Sequence, residues 1–141
     1  MAQNPSKEAN RLQLARDALA AGRVGDAETA VREVLSINDQ NSEAVHLLGV
    51  IAMQTGQTTA AEQHFRDSII INPANAESHM NLGIALNMLG RRDEGRASLE
   101  LAAEIKPTNG QTHYNLAMAE LDSGNVDKAL ERMERAVRLE P

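Results

Sequence analysis

The side chains best suited to chemistry in this chain are four histidines: His46, His64, His79 and His113. A neutral imidazole can ligate a divalent metal or shuttle a proton, and a helical metal site typically sets two of them at i, i+4 beside a carboxylate. No two of these histidines have that spacing, and none has a carboxylate in a ligand pattern. His79 and His113 stand 34 residues apart, which reads as one structural position used twice. The chain has no Cys, so thiolate nucleophiles, thiolate metal sites and disulfides are excluded together. There is no G-x-S-x-G elbow and no phosphate-cradling glycine loop; the GRRDEG segment reads as a solvated turn. Carboxylates scattered over solvated helix faces lack the enclosed pocket that shifts a pKa. No catalytic residue, metal ligand or cofactor is expected, and the chain is not expected to be an enzyme.

The elements that must position these residues announce themselves through a period. Gly22, Gly56, Gly90 and Gly124 recur every 34 residues, as do Pro73, Pro107 and Pro141, Asn41, Asn75 and Asn109, and Leu14, Leu48, Leu82 and Leu116. The units run 8–41, 42–75, 76–109 and 110–141, after an N-terminal tail of residues 1–7. Each reads as helix, turn, helix. The Asn column sits where a side-chain oxygen can cap orphan N–H groups, with Glu43 and Glu77 in the first turn beside the positive helix end. The Gly column supplies the positive φ that ends the first helix. The second helix stops before Asn72-Pro73, Lys106-Pro107 and Glu140-Pro141, because a residue preceding proline is pushed out of the α region.

Composition agrees. Hydrophobic residues make up 42% of the chain but aromatics only 1%, so the core must be aliphatic and helical rather than a sheet. Small residues recur on the first helix (Ala15, Gly49, Gly83, Ala117) and on the second (Ala27, Ala61, Gly95, Ala129), letting the two axes approach closely. The Leu14 column, Val31/Phe65/Leu99/Met133 and Ile37/Ile71/Ile105/Leu139 are expected to fill in around that contact. One unit alone cannot bury this surface, so neighbours must stack.

These columns resemble the tetratricopeptide repeat, with HLLGVIAMQTG, AAEQHF and INP in the second unit and HMNLGIALNMLG and IKP in the third. The resemblance spans Glu8 to Pro141, with Asp39 in place of the expected Pro and Gly95 in place of Ala. It implies an all-α, right-handed superhelical solenoid of about eight helices forming one domain over 8–141. HLLGV and INPANAESHMNLG are also similar to the N-terminal repeats of bacterial enzymes that carry a glycosyltransferase or sulfotransferase domain downstream.

In that family the first helices line a concave face. The resemblance therefore places Leu12, Gln13, Arg16 and Leu19 in a groove with His46, Leu47, Val50 and Met53. The third unit adds Met80, Asn81, Ile84 and Asn87, and the fourth Tyr114, Asn115, Met118 and Leu121. The centre is apolar, and contiguous apolar surface marks interaction sites. Asn81 and Asn115 are equivalent and could bond the backbone of an extended peptide. Leu12, Leu47 and Glu77 occupy places where chaperone-binding relatives need Lys, Asn and Arg, which disfavours capture of an acidic C-terminal tail.

The expected function is a scaffold that holds a peptide or helix of a protein partner. The alternatives are the substrate-recruiting arm of a larger enzyme and a self-assembling structural protein. A net charge of −6 without a basic stripe argues against nucleic acid, and the absence of any long apolar run argues against a membrane span or signal peptide. A cytoplasmic protein is expected. No extra polar helix follows the fourth repeat in this sequence, which leaves an apolar face of the last helix pair uncovered; either the chain is a fragment of something longer or that face meets another chain, a homo-oligomer being one way it could do so.

Overall fold

The computed structural model describes residues 5–139, with side chains from Lys7 onward. The described residues form eight α-helices and contain no strand. They fall into two compact units, Met1–Pro73 and Ala74–Pro141. The first unit holds α1 (Pro5–Ala20), α2 (Val24–Ile37), α3 (Ser42–Gln54) and α4 (Thr58–Ile71). The second holds α5 (Ala76–Met88), α6 (Arg92–Ile105), α7 (Gly110–Asp122) and α8 (Val126–Leu139). Helix α1 opens at Pro5, inside the stretch expected to be a tail, and proline suits a first helical position because its missing N–H has no intrahelical partner there. The first four residues of that tail, and the Glu140-Pro141 stop, lie outside the described residues.

Helix boundaries follow the predicted punctuation. The Asn41 side chain accepts from the Ala44 N–H at 2.9 Å, Asn75 from Ser78 at 3.2 Å and Asn109 from Thr112 at 3.3 Å. Asn109→Ala should therefore cost about 0.5–2 kcal/mol, read as a lower urea midpoint with an unchanged denaturant slope. Each first helix ends on a glycine at positive φ, from 73° at Gly22 to 80° at Gly90. The residue after it then donates back to the helix: Arg23 to Ala18 O at 2.8 Å, Gln57 to Ala52 O at 2.8 Å, Arg91 to Leu86 O at 2.9 Å and Asn125 to Glu120 O at 2.8 Å. These are Schellman closures, and they set the tight reversal into the second helix. In both units the second helix of a repeat packs on its own first helix and on the first helix of the following repeat: α1 with α2 and α2 with α3, then α5 with α6 and α6 with α7.

The first unit centres on Leu12, Ala15 and Leu19 of α1, Ala27, Val31 and Val34 of α2, and Ala44, Leu47 and Ile51 of α3. Behind them α4 buries Ala61, Phe65 and Ser68. The Ser68 hydroxyl donates to the Ser42 carbonyl at 2.9 Å and so ties the end of α4 to the start of α3. The carboxylate of Glu8, buried on α1, accepts from Asn41 Nδ2 at 3.0 Å and Asn38 Nδ2 at 3.3 Å. One carboxylate thereby holds the C-cap of α2 and the N-cap of α3 together. In the second unit Leu82, Gly83 and Leu86 of α5 and Gly95, Leu99 and Ala102 of α6 are buried, with Gly83 set against Gly95 and Leu99, while Leu116 and Ala117 of α7 and Ala129 and Ala136 of α8 are likewise buried.

Three packing expectations need correction. Leu14 is 52% exposed, although its counterparts Leu82 and Leu116 are buried and Leu48 packs on the first core. Leu48 packs on a core that includes α2, and no described helix precedes α1 to cover Leu14 in the same way. Ile37 and Ile105 are exposed, and Ile71 and Leu139 only half-buried, because each ends its helix where the chain turns away. Met133 is half-buried rather than core, unlike Val31, Phe65 and Leu99 in its column.

Candidate interaction surface

In the first unit the predicted groove residues do not share one fate. Leu12 joins the core of α1, α2 and α3, and His46 is buried with its ring tilted against Phe65 at a centroid distance of 5.4 Å. Both belong to the interior of the first unit. Leu19 and Leu47 are also core, and Val50 leans on it half-buried. Arg16 and Met53 are half-buried and Gln13 is exposed. Arg16 pairs with Glu43 of α3 and donates to Gln13 Oε1 at 3.2 Å, which makes it a surface latch between α1 and α3.

The second unit keeps more of its predicted face open. Tyr114, Met118 and Leu121 are all exposed at i, i+4 and i+7, one stripe along α7. Met80, Asn81, Ile84 and Asn87 of α5 are half-buried, as is Asn115 of α7. Asn87 shares a narrow cleft with Ala119, Asp122 and Ser123, so it does approach α7. Tyr114 instead edges an open depression with Met133, Ala136 and Val137 on the α8 side. Two amide atoms, Asn87 Oδ1 and Asn115 Nδ2, are shut away from water without a hydrogen-bond partner among the described residues. An unmet buried donor or acceptor costs about 1–3 kcal/mol, so both atoms would gain from a group that paired with them.

The histidines are occupied with structure. His113 is buried; Arg132 approaches its Nδ1 at 3.5 Å and Pro107 O lies 2.8 Å from its Nε2. Only one tautomer satisfies both contacts: Arg132 donates to Nδ1, and the Nε2–H donates to the carbonyl. The ring thus ties α8 to the turn before α7. His79 is buried, and His64 edges a shallow apolar depression with Leu35, Val45, Leu48 and Ile70. Among the described residues no helix is long and apolar enough to cross a membrane.

Helical hairpins repeated at one period, with Asn caps and Gly closures in register, are matched by models of the tetratricopeptide repeat over residues 12–76, 76–109 and 110–135. The chain belongs to the tetratricopeptide repeat family. Solved structures agree with this reading of the tetratricopeptide fold. MamA superposes with a TM-score of 0.78 at 21% identity, covering 97% of this chain and 80% of that one. PilF of Pseudomonas aeruginosa gives 0.87 at 22% identity, covering 96% and 62%. A variant O-GlcNAc transferase of Thermobaculum terrenum gives 0.80 at 32% identity over 85% of this chain, which spans only 23% of the transferase. No curated protein matches the tetratricopeptide chain in sequence.

Proposed function

We propose that this chain is a cytoplasmic protein-binding module whose first-helix faces take a peptide or helix from a protein partner, with the second unit offering the better-exposed site. Tetratricopeptide repeats are typical of interaction scaffolds. The observation that carries the reading is the α7 stripe of Tyr114, Met118 and Leu121, exposed at i, i+4 and i+7. Apolar side chains of a ligand would cover the stripe. Met118 adds a flexible, polarisable contact that adapts to varied ligands.

Panning a peptide library against the wild-type chain tests this. Peptides so selected should bind Met118→Glu/Leu121→Glu at least about tenfold more weakly, a loss of about 1.4 kcal/mol, while the variant keeps its helical circular dichroism. Equal binding by both chains removes the α7 face from the reading. A second reading, the substrate-recruiting arm of a glycosyltransferase-type enzyme, is favoured by the 32% identity to the transferase repeats. Reading the gene past the codon for Pro141 decides it: a transferase domain supports the arm, and a stop codon rules it out.

A further inference from the structure

Helix α8 carries a second apolar stripe, which touches the one on α7 at the depression that Tyr114 shares with Met133 and Val137. Val126 (54% exposed), Leu130 (59%) and Val137 (64%) line up with half-buried Met133 at steps of four, three and four residues. Ala129 and Ala136, one step round the helix, are the residues α8 buries. The outward stripe is therefore additional to what folding the fourth repeat uses. Positions equivalent to Leu130 in the other repeats are charged: Glu28, Glu62 and Arg96. An exposed leucine where the other repeats carry charge is more apolar surface than the repeat pattern calls for.

The internal contacts of the fold say what kind of helix covers such a face, and which of this chain's helices can do so. On α2 the cover is α3, through Ala44, Leu47, Leu48 and Ile51. The same four positions on α1 are Asn10, Gln13, Leu14 and Asp17, and Gln13 Nε2 already donates to Asp17 Oδ1 at 2.8 Å. That face of α1 is thus largely polar. Covering α8 with the α1 of a second copy would bury Gln13 and Asp17 against apolar side chains, which disfavours head-to-tail stacking and leaves α8 itself as the better apolar counterpart.

We propose that two copies of this chain associate through α8 packed antiparallel on α8 about a two-fold axis. The four–three–four spacing is the same read in either direction. An antiparallel pair consequently sets Val126 against Val137 of the second copy and Leu130 against its Met133, each contact occurring twice, as an isologous interface requires. Charge follows the same symmetry. The stripe is flanked by Asp127 at the start of α8 and by Arg138 in its last turn, so reversing one helix brings each acidic start near a basic end. Two antiparallel helix dipoles add to the match.

Sedimentation velocity of the 141-residue chain over a concentration series is the test. The wild-type chain should move from 15.3 kDa toward twice that mass and stop there. Leu130→Glu, at an exposed position, should stay monomeric throughout with unchanged circular dichroism. Asp127→Arg should weaken the dimer, and the double variant Asp127→Arg/Arg138→Asp should restore it. The chain has no native cysteine, so Val126→Cys/Val137→Cys reports register cleanly: oxidation should link copies in the double variant much faster than in either single one. A wild-type chain that stays monomeric, growth beyond the dimer, or a Leu130→Glu chain that still dimerises overturns the proposal. The inference stands apart from the peptide-binding reading, since Leu130→Glu should leave the selected peptides bound and Met118→Glu/Leu121→Glu should leave the dimer intact.

Discussion

Phe65→Ala is expected to lower the unfolding free energy by about 3–5 kcal/mol, a large share of the stability of a chain this size. The ring is fully buried on α4, meets His46, and lies over Gly49, where an added methyl group would stand 2.6 Å from Cδ1 and 2.9 Å from Cζ. Truncation removes the ring from between His46 and Gly49 and leaves a cavity there. The same geometry predicts a coupling. In the wild-type chain Gly49→Ala collides with the ring, whereas with Phe65 truncated the methyl group enters free space and the helix gains about 0.5–1 kcal/mol from losing a glycine. Gly49→Ala should thus destabilise the wild-type chain and stabilise Phe65→Ala, a non-additivity of about 0.5–3 kcal/mol in a double-mutant cycle read by urea unfolding. Additive effects would mean that Gly49 is small for another reason. The same melts examine whether residues 8–141 behave as one domain, as we propose: a single transition shared by all variants supports it, and a Phe65→Ala chain melting in two steps divided near Pro73 opposes it.

Much of this fold is legible in the residues alone. Asn41, Asn75 and Asn109 cap because a short amide beside a free N–H group is a local matter, and Gly22, Gly56, Gly90 and Gly124 close their helices because only glycine takes that φ without strain. The small-residue columns are legible for a related reason: the close approach they permit lies within one repeat. The period hides whatever depends on a repeat's neighbours. His46 and Tyr114 fill one column, yet His46 is 4% exposed and Tyr114 44%, because burial is decided by what packs over the column and not by the column itself. Leu12 is misplaced in a groove for the same reason, and Leu14 misplaced in a core. Treating end repeats as different from inner ones would catch Leu14 and the polar set of Asn10, Gln13 and Asp17 together.

One departure from the repeat pattern has a visible partner that single columns conceal. Position 95 is Gly where the other repeats have Ala27, Ala61 and Ala129, and position 87 is Asn where they have Leu19, Met53 and Leu121. The two changes are one. A methyl group on Gly95 would meet the Asn87 carboxamide, with Cγ at 2.8 Å, and would also lie 2.8 Å from the Gly83 carbonyl oxygen. The side chain of Asn87 can rotate away, but the Gly83 carbonyl is fixed within α5. Gly95→Ala therefore sets a helix-propensity gain of about 0.5–1 kcal/mol against an overpacking cost of about 1–3 kcal/mol. Because one of the two obstacles is backbone, the cost should win, and the variant should unfold at lower urea. Adding Asn87→Ala removes the movable obstacle, along with an Oδ1 that has no hydrogen-bond partner among the described residues, and should recover part of the loss while leaving the backbone share. Full recovery would place the whole strain on the amide. A Gly95→Ala chain as stable as the wild type would mean that α5 and α6 have room to part, and that the glycine at 95 is not what holds their axes close.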